Sequence, residues 1–303
     1  TPSPRWQLAG GVEGQLHFDV ETTASDESGT WLDLTGKHAT PFRVGAAYAS
    51  VDHEAAAWAR LSLGARLDSY SSFGSSLSPR AAAIFRPYEG GNLKLMAGRA
   101  FRAPSTYELN YLYNGVSPQG GSTRLRPETI YSAEAEFTHR FSTTWSATAA
   151  TFINQFRSPI DNVGSGSLTD PLRYANLGES MATAGLELAL GRSWRQGWML
   201  HASYGYTVAR FLEDSRWSTL MAFRQSPDYR HVANAPQHLA ALKGVAPLLD
   251  RHLQLGSRLS LEGARWDRNE LVVDAPQRHT QTAVLWDLVL SGRQDKLHVS
   301  YAF

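Results

Sequence analysis

The chain has 303 residues, a formal net charge of +1, 19% charged residues and no cysteine. That balance gives no bulk electrostatic case for nucleic acid, and the missing thiols exclude a disulfide framework and cysteine metal sites. No run of about 18 apolar residues occurs, so no transmembrane helix is expected.

In chain order, strands are expected at 6–20, 42–52, 56–68, 77–87, 92–102, 127–141, 144–156, 173–190, 198–209, 236–248, 252–266, 278–291 and 296–303, about 13 in all. In 56–68, Ala57, Ala59, Leu61, Leu63, Ala65 and Leu67 share one side, opposite Trp58, Arg60, Ser62, Arg66 and Asp68. Successive Cβ atoms leave a pleated strand on opposite faces, so this is one apolar and one polar face. The strand at 127–141 divides in the same way, with Thr129, Tyr131, Ala133, Ala135 and Phe137 against Glu128, Ile130, Ser132, Glu134, Glu136 and Thr138. A helical stripe would be interrupted by Glu134 and Glu136. Further on, Trp198, Leu200, Ala202, Tyr204 and Tyr206 oppose Met199, His201, Ser203, Gly205 and Thr207. Leu253, Leu255, Leu259 and Leu261 likewise oppose His252, Gln254, Arg258 and Glu262.

Connections alternate in length. Short ones are expected at 52–55, 86–92, 140–143, 191–197, 249–251 and 291–295. Longer ones lie at 21–41, 103–126, 157–172, 210–235 and 267–277, with an intermediate one near 69–76. Short periplasmic turns alternating with long external loops, joining period-two strands, define an all-β, antiparallel transmembrane β-barrel. A soluble double sheet is the alternative, but it would want a more apolar second layer than these strands offer. Bacterial single-chain barrels have an even strand number. An odd count, with the last strand rising, is expected of part of a longer barrel chain. The opening Thr1-Pro2-Ser3-Pro4-Arg5 has no signal-peptide regions.

Five short words resemble the barrel of TonB-dependent outer-membrane receptors. They are Ser78-Pro79-Arg80, the run from Leu93 through Phe101-Arg102-Ala103-Pro104, Leu125-Arg126-Pro127-Glu128-Thr129, Tyr174-Ala175-Asn176-Leu177-Gly178 with Gly185-Leu186-Glu187, and Asn234-Ala235-Pro236-Gln237-His238. The resemblance spans roughly 61–303 and implies a 22-stranded barrel with a plugged lumen. The whole of 1–303 would then be a partial barrel domain, strands 9 to 21, without the plug, the early strands and the last strand. It further implies the bacterial outer membrane, active uptake of a scarce ligand, and coupling to a TonB-type energy-transducing partner through the plug. The ligand class is a ferric siderophore first, with cobalamin or haem as alternatives within the family.

On that reading the external loop at 103–126 is the richest candidate for ligand contact. Tyr107, Tyr111 and Tyr113 offer ring faces and phenols, while Arg124 and Arg126 suit the forked binding of carboxylates or catecholate charge. Interfacial tyrosine is the competing reading. Phe101, Arg102, Pro104, Pro127, Glu128, Asn176, Gly178, Asn234, Pro236 and His238 carry the family words and are expected to be structural. Proline bounds a strand because it cannot donate to the ladder. Haem receptors of the family place a histidine between the two loop-flanking words, and none stands between Phe101 and Pro127. His231 and His238 are too few for a metal site, and His201, His252 and His298 are expected to line the lumen. No cofactor is expected. No Gly-x-Ser-x-Gly, Walker or His-Glu-x-x-His motif appears, so no enzyme is expected. A passive porin or a barrel-borne hydrolase are the readings of a different class.

Overall fold

A computed structural model describes residues 5–18, 23–25, 31–33, 41–110, 112–113, 119–120, 122, 124–165, 167–194, 196–212, 232, 234–248, 253–267, 278–294 and 299–302. In chain order, β1 (Trp6–His17) is followed by two short pieces, β2 (Thr23–Ser25) and β3 (Trp31–Asp33), and then by β4 (Phe42–Ala56). Next come β5 (Ala59–Tyr70), β6 (Gly74–Phe85) and β7 (Gly91–Arg102). A one-turn helix α1 (Thr106–Asn110), β8 (Leu112–Tyr113) and β9 (Gln119–Gly120) precede β10 (Glu128–Arg140) and β11 (Trp145–Arg157). Then β12 (Ile160–Val163) and β13 (Leu172–Asn176) lead to β14 (Ser180–Ser193), β15 (Met199–Leu212), β16 (His238–Leu248) and β17 (Leu253–Glu262). The chain closes with β18 (Trp266–Asp267), β19 (Arg278–His279), β20 (Ala283–Gln294) and β21 (Val299–Ala302).

Thirteen of these strands form one antiparallel meander in the order β1-β4-β5-β6-β7-β10-β11-β14-β15-β16-β17-β20-β21, matching the expected count. Every additional element, α1 included, falls in a connection at the same end of the sheet. That end carries the external loops; the turn at 57–58 marks the other. Several sequence expectations shift: the strand expected at 278–291 is β19 and β20, in different sheets, and β20 runs through the turn expected at 291–295 to Gln294. The first short turn lies at 57–58 rather than 52–55, because the β4–β5 ladder continues to Ala56↔Ala59 with a bulge near Glu54. The strand expected at 173–190 is two strands, β13 and β14, which belong to different sheets.

Register fixes the two faces. On the outward side, Leu63 and Leu67 are 56% and 49% exposed, and Trp286 is 69% exposed. Among the described residues no second layer covers them, which removes the soluble double sheet. Two polar side chains on this face bond locally: Thr151 Oγ1 donates to the Gly185 carbonyl at 3.0 Å, and Trp286 Nε1 to Ser257 Oγ at 3.0 Å. Such local satisfaction is what hydrocarbon demands, since it offers no water to an unpaired donor. On the inward side charges pair along and across strands. Arg66 reaches Glu13 at 2.9 Å and Asp68 at 2.8 Å, while Lys94 meets Glu136 at 2.7 Å. His201 also takes an inward position, whereas His252 and His298 lie outside the described residues. An inward recess of about 580 Å³ includes Glu134, Glu136, Glu187, Arg258, Glu262 and Asp287.

Candidate functional site

The family words at the external ends of β7, β10 and β13 meet in one hydrogen-bonded joint. Arg102 closes β7 and directs its guanidinium at two carboxylates. Its Nη1 and Nη2 fork onto Glu108 at 2.9 Å each, and its Nε reaches Glu128 at 2.5 Å. Paired N–H donors matched to a carboxylate fix direction as well as distance. Glu128, the first residue of β10, also accepts the Ile160 amide at 2.7 Å, so it ties the start of β12 to the same point.

Glu108 sits on α1, and the local sequence explains why the helix begins where it does. Ser105-Thr106-Tyr107-Glu108 is a capping box: Ser105 Oγ accepts the Glu108 amide at 3.2 Å, and the Glu108 carboxylate accepts the Ser105 amide at 2.7 Å. Pro104, buried just before it, stops the β7 ladder. Burial pushes the Glu108 carboxyl up, but the Arg102 fork and the Ser105 amide and hydroxyl outweigh that and hold it below the ordinary carboxylate range.

Asn176 makes the second half of the joint. Its Oδ1 accepts the Arg126 amide at 2.8 Å, and its Nδ2 donates to the Arg126 carbonyl at 2.9 Å and the Ser158 carbonyl at 2.8 Å. Ser158 holds a left-handed turn at φ 55°, uncommon for a side chain of this kind. The Asn176 amide secures its carbonyl. Above the joint, β12, β13, β9 and β8 form a separate four-stranded sheet. Its β9–β13 pairing is parallel, through Leu172↔Gln119 and Arg173↔Gly120, and links the 103–127 loop to the 158–179 loop.

On this platform stand the candidate contact residues. Tyr107 lies on α1, 37% exposed, with its ring edge-on to Tyr174 at 5.8 Å. Arg124 and Arg126 are exposed on either side of buried Leu125. Tyr113 pairs through its backbone with Gln119 in the loop sheet. Tyr111 lies outside the described residues, as does His231. Pro127 precedes β10, Gly178 sits in the turn between β13 and β14, and Phe101 packs edge-on against Tyr70 at 6.1 Å. The Ser105–Glu108 capping box and Tyr174 were missed as site residues. The Ser-x-x-Glu spacing was a readable signal for the first; Tyr174 opens one of the family words, but nothing local announces its contact with Tyr107.

The last family word forms another joint. Asn234 adopts φ 61°, receives Arg265 Nη1 on its Oδ1 at 2.9 Å, and donates its amide to the Trp266 carbonyl at 2.8 Å. His238 opens β16, two residues after Pro236, and its ring nitrogen bonds the Tyr204 hydroxyl at 2.8 Å on the outward face. Among the described residues no cluster of three metal-ligating side chains occurs.

A single meander with a lipid-compatible outer face, a charged inner face and built-up loops at one end is an outer-membrane β-barrel wall. The model of the TonB-dependent receptor-like β-barrel matches residues 4–295, and the chain belongs to that family. It therefore lies in the bacterial outer membrane. The chain is 25% identical over 224 residues to an iron-regulated outer membrane virulence protein of Vibrio cholerae, covering 68% of this chain and 32% of that protein. Its fold is shared with the siderophore receptor PirA from Acinetobacter baumannii, at TM-score 0.67 and 17% identity, over 96% of this chain and 46% of the other. It is shared too with the FrpB iron transporter from Neisseria meningitidis, at TM-score 0.66 and 14% identity, over 97% and 46%. The chain thus spans about a third of its curated relative and under half of each solved structure.

Proposed function

We propose that this barrel serves TonB-dependent active uptake of a ferric siderophore, with the external platform forming part of the ligand mouth. The observation that carries the reading is the joint at Arg102, Glu108, Glu128 and Asn176. It holds the loop bearing Tyr107, Arg124 and Arg126 against the strand ends. Preorganised aromatic and guanidinium groups bind an anionic metal chelate with little ordering cost. The names of an iron-regulated relative and of siderophore-receptor neighbours support the same reading. Energy coupling through a plug and a TonB-type partner follows from family membership and belongs to this proposal.

The test uses the full-length protein. Ferric catecholate and ferric hydroxamate siderophores, haem and cobalamin are each titrated against intrinsic tryptophan fluorescence. In parallel, a strain lacking its own uptake receptors and expressing the full-length protein is grown on each as sole source. Saturable binding of a ferric siderophore, weakened about tenfold in the Tyr107→Ala/Arg124→Gln/Arg126→Gln variant, is expected. Saturable binding of cobalamin or haem alone would reassign the ligand, and growth independent of the energy-coupling partner would indicate a passive channel.

A further inference from the structure

On β14 the outward positions run Leu186, Leu188 and Leu190, all exposed to lipid, and then change character at Arg192. Arg192 stands opposite Trp145 on β11 and opposite Leu200 on β15. Partners directly opposite share a face, so the arginine lies on the outward wall, one step beyond the last leucine of its column. This is where β14 ends and β11 begins, beside the short turns at 141–144 and 194–198. Those turns lie at the periplasmic end of the sheet, away from the external loops.

The guanidinium is held by rings rather than by acids. Its central carbon lies 4.7 Å from the centre of the Trp145 ring and 4.2 Å from that of Trp194. Cations are attracted to the faces of indoles. Trp194 belongs to the turn after β14, and the turn is well fixed. The Trp194 amide donates to the Trp198 carbonyl at 2.9 Å, and the Trp194 carbonyl accepts the Gly197 amide at 3.0 Å. The Ser193 amide donates to the Thr144 carbonyl at 3.0 Å, which ties this turn to the neighbouring one. Gly197, at φ 92°, allows the tight return.

Ring contacts occupy the faces of a guanidinium and leave its N–H donors pointing outward in its own plane. Among the described residues, no side chain or carbonyl accepts from them, and Nε is buried without an acceptor. Inward cations such as Arg66 and Lys94 each meet a carboxylate within 3 Å. Arg192 is therefore a charge that the wall positions but does not neutralise, with Nη1 and Nη2 as its open edge. Tryptophan concentrates at membrane interfaces, so Trp145, Trp194 and exposed Trp198 set this edge at the headgroups of the periplasmic leaflet. Phosphate oxygens are the acceptors available there.

We propose that Arg192, held against Trp145 and Trp194, binds the phosphate of an anionic phospholipid in the periplasmic leaflet. A forked guanidinium edge matches a phosphate. A zwitterionic headgroup would bring an ammonium that needs its own anion, and no carboxylate among the described residues pairs at this point. Leu190 and Leu200, beside Arg192 on the same face, offer the apolar strip along which an acyl chain runs. The site needs only the outer-membrane placement of the barrel, not the identity of any imported ligand.

The full-length protein is purified in detergent, stripped of lipid, and titrated separately with phosphatidylglycerol and phosphatidylethanolamine, with bound lipids counted by native mass spectrometry. Folding is checked by heat-modifiable migration on gels. The wild type is expected to bind its first phosphatidylglycerol about fivefold tighter than its first phosphatidylethanolamine. Arg192→Gln should remove that preference. Trp194→Ala, which frees one face of the guanidinium, should weaken phosphatidylglycerol binding at least about twofold and leave phosphatidylethanolamine binding unchanged. If Arg192→Gln does not fold, Trp194→Ala carries the test alone. Equal wild-type affinity for the two phospholipids, or an unchanged preference in the folded variants, overturns the proposal. Lipopolysaccharide displacing phosphatidylglycerol at equal phosphate shows a general phosphate site and overturns the assignment to the periplasmic leaflet.

Discussion

Asn176→Ala tests the joint that holds the external platform. The substitution removes three hydrogen bonds, two of them to the Arg126 backbone and one to the Ser158 carbonyl. Each is worth about 1 kcal/mol net, so local opening of the loop becomes easier by about 2–3 kcal/mol. At 1.4 kcal/mol per factor of ten, the open population rises about 30- to 140-fold. Limited trypsin digestion of the full-length protein in detergent reads this directly. The bond after Arg124 is the reporter, since Leu125 is 5% exposed and shields it while the joint is closed. The bond after Arg126 precedes proline and resists trypsin. Nicking after Arg124 should accelerate by the stated factor, while cleavage elsewhere keeps its rate. Asn176→Asp separates shape from bonding: it preserves size and the acceptor for the Arg126 amide but turns an oxygen toward two carbonyls. It should therefore be no more protected than the alanine variant. A silent Asn176→Asp, or an unchanged rate in Asn176→Ala, would refute the assignment.

Three further outcomes follow from the same geometry. Because the Glu108 carboxyl is held below its ordinary range, its contribution to the pinned loop is complete above the unfolded carboxylate value and is lost as pH falls through the folded one. Amide exchange at Leu109 and Ser122, corrected for intrinsic rate, should rise as pH drops from about 5 toward 3, and Glu108→Gln should flatten that dependence. Gly90 has φ 87°, and a Cβ there would lie 2.7 Å from the Arg140 carbonyl oxygen. Gly90→Ala should cost at least about 2 kcal/mol, seen as a lower urea midpoint for the refoldable barrel. Lys94 and Glu136 pair across the inward face at 36% and 25% exposure, so Lys94→Met should shift that midpoint by only about 0.5 kcal/mol. A shift several times larger would mean the inward face is drier than its exposure indicates.

The strands, their number and the side each residue takes were legible in the chain alone. Leu61, Leu63 and Leu67 against Arg60, Arg66 and Asp68 state one face for lipid and one for water, because a period of two is a local property of the pleat. Arg102, Glu128 and Asn176 were also legible, as family words, though as separate ones, whereas Glu108 belonged to none of them. Their meeting was not: Asn176 stands 50 positions from Arg126, and Glu128 stands 32 from Ile160. Whether they touch depends on the register of the strands between and on the path of two loops. The loop sheet escaped for a related reason. Strands of two to five residues, such as β8, β9 and β13, are too short to show a period. For the same reason β13 read as the start of β14. Arg99, Arg157 and Arg210 are scattered through the chain and come to one outward face only once β7, β10, β11, β14 and β15 are laid side by side in register. Alternation dictates the face of each side chain locally, whereas neighbourhood across strands is long-range and belongs to the sheet.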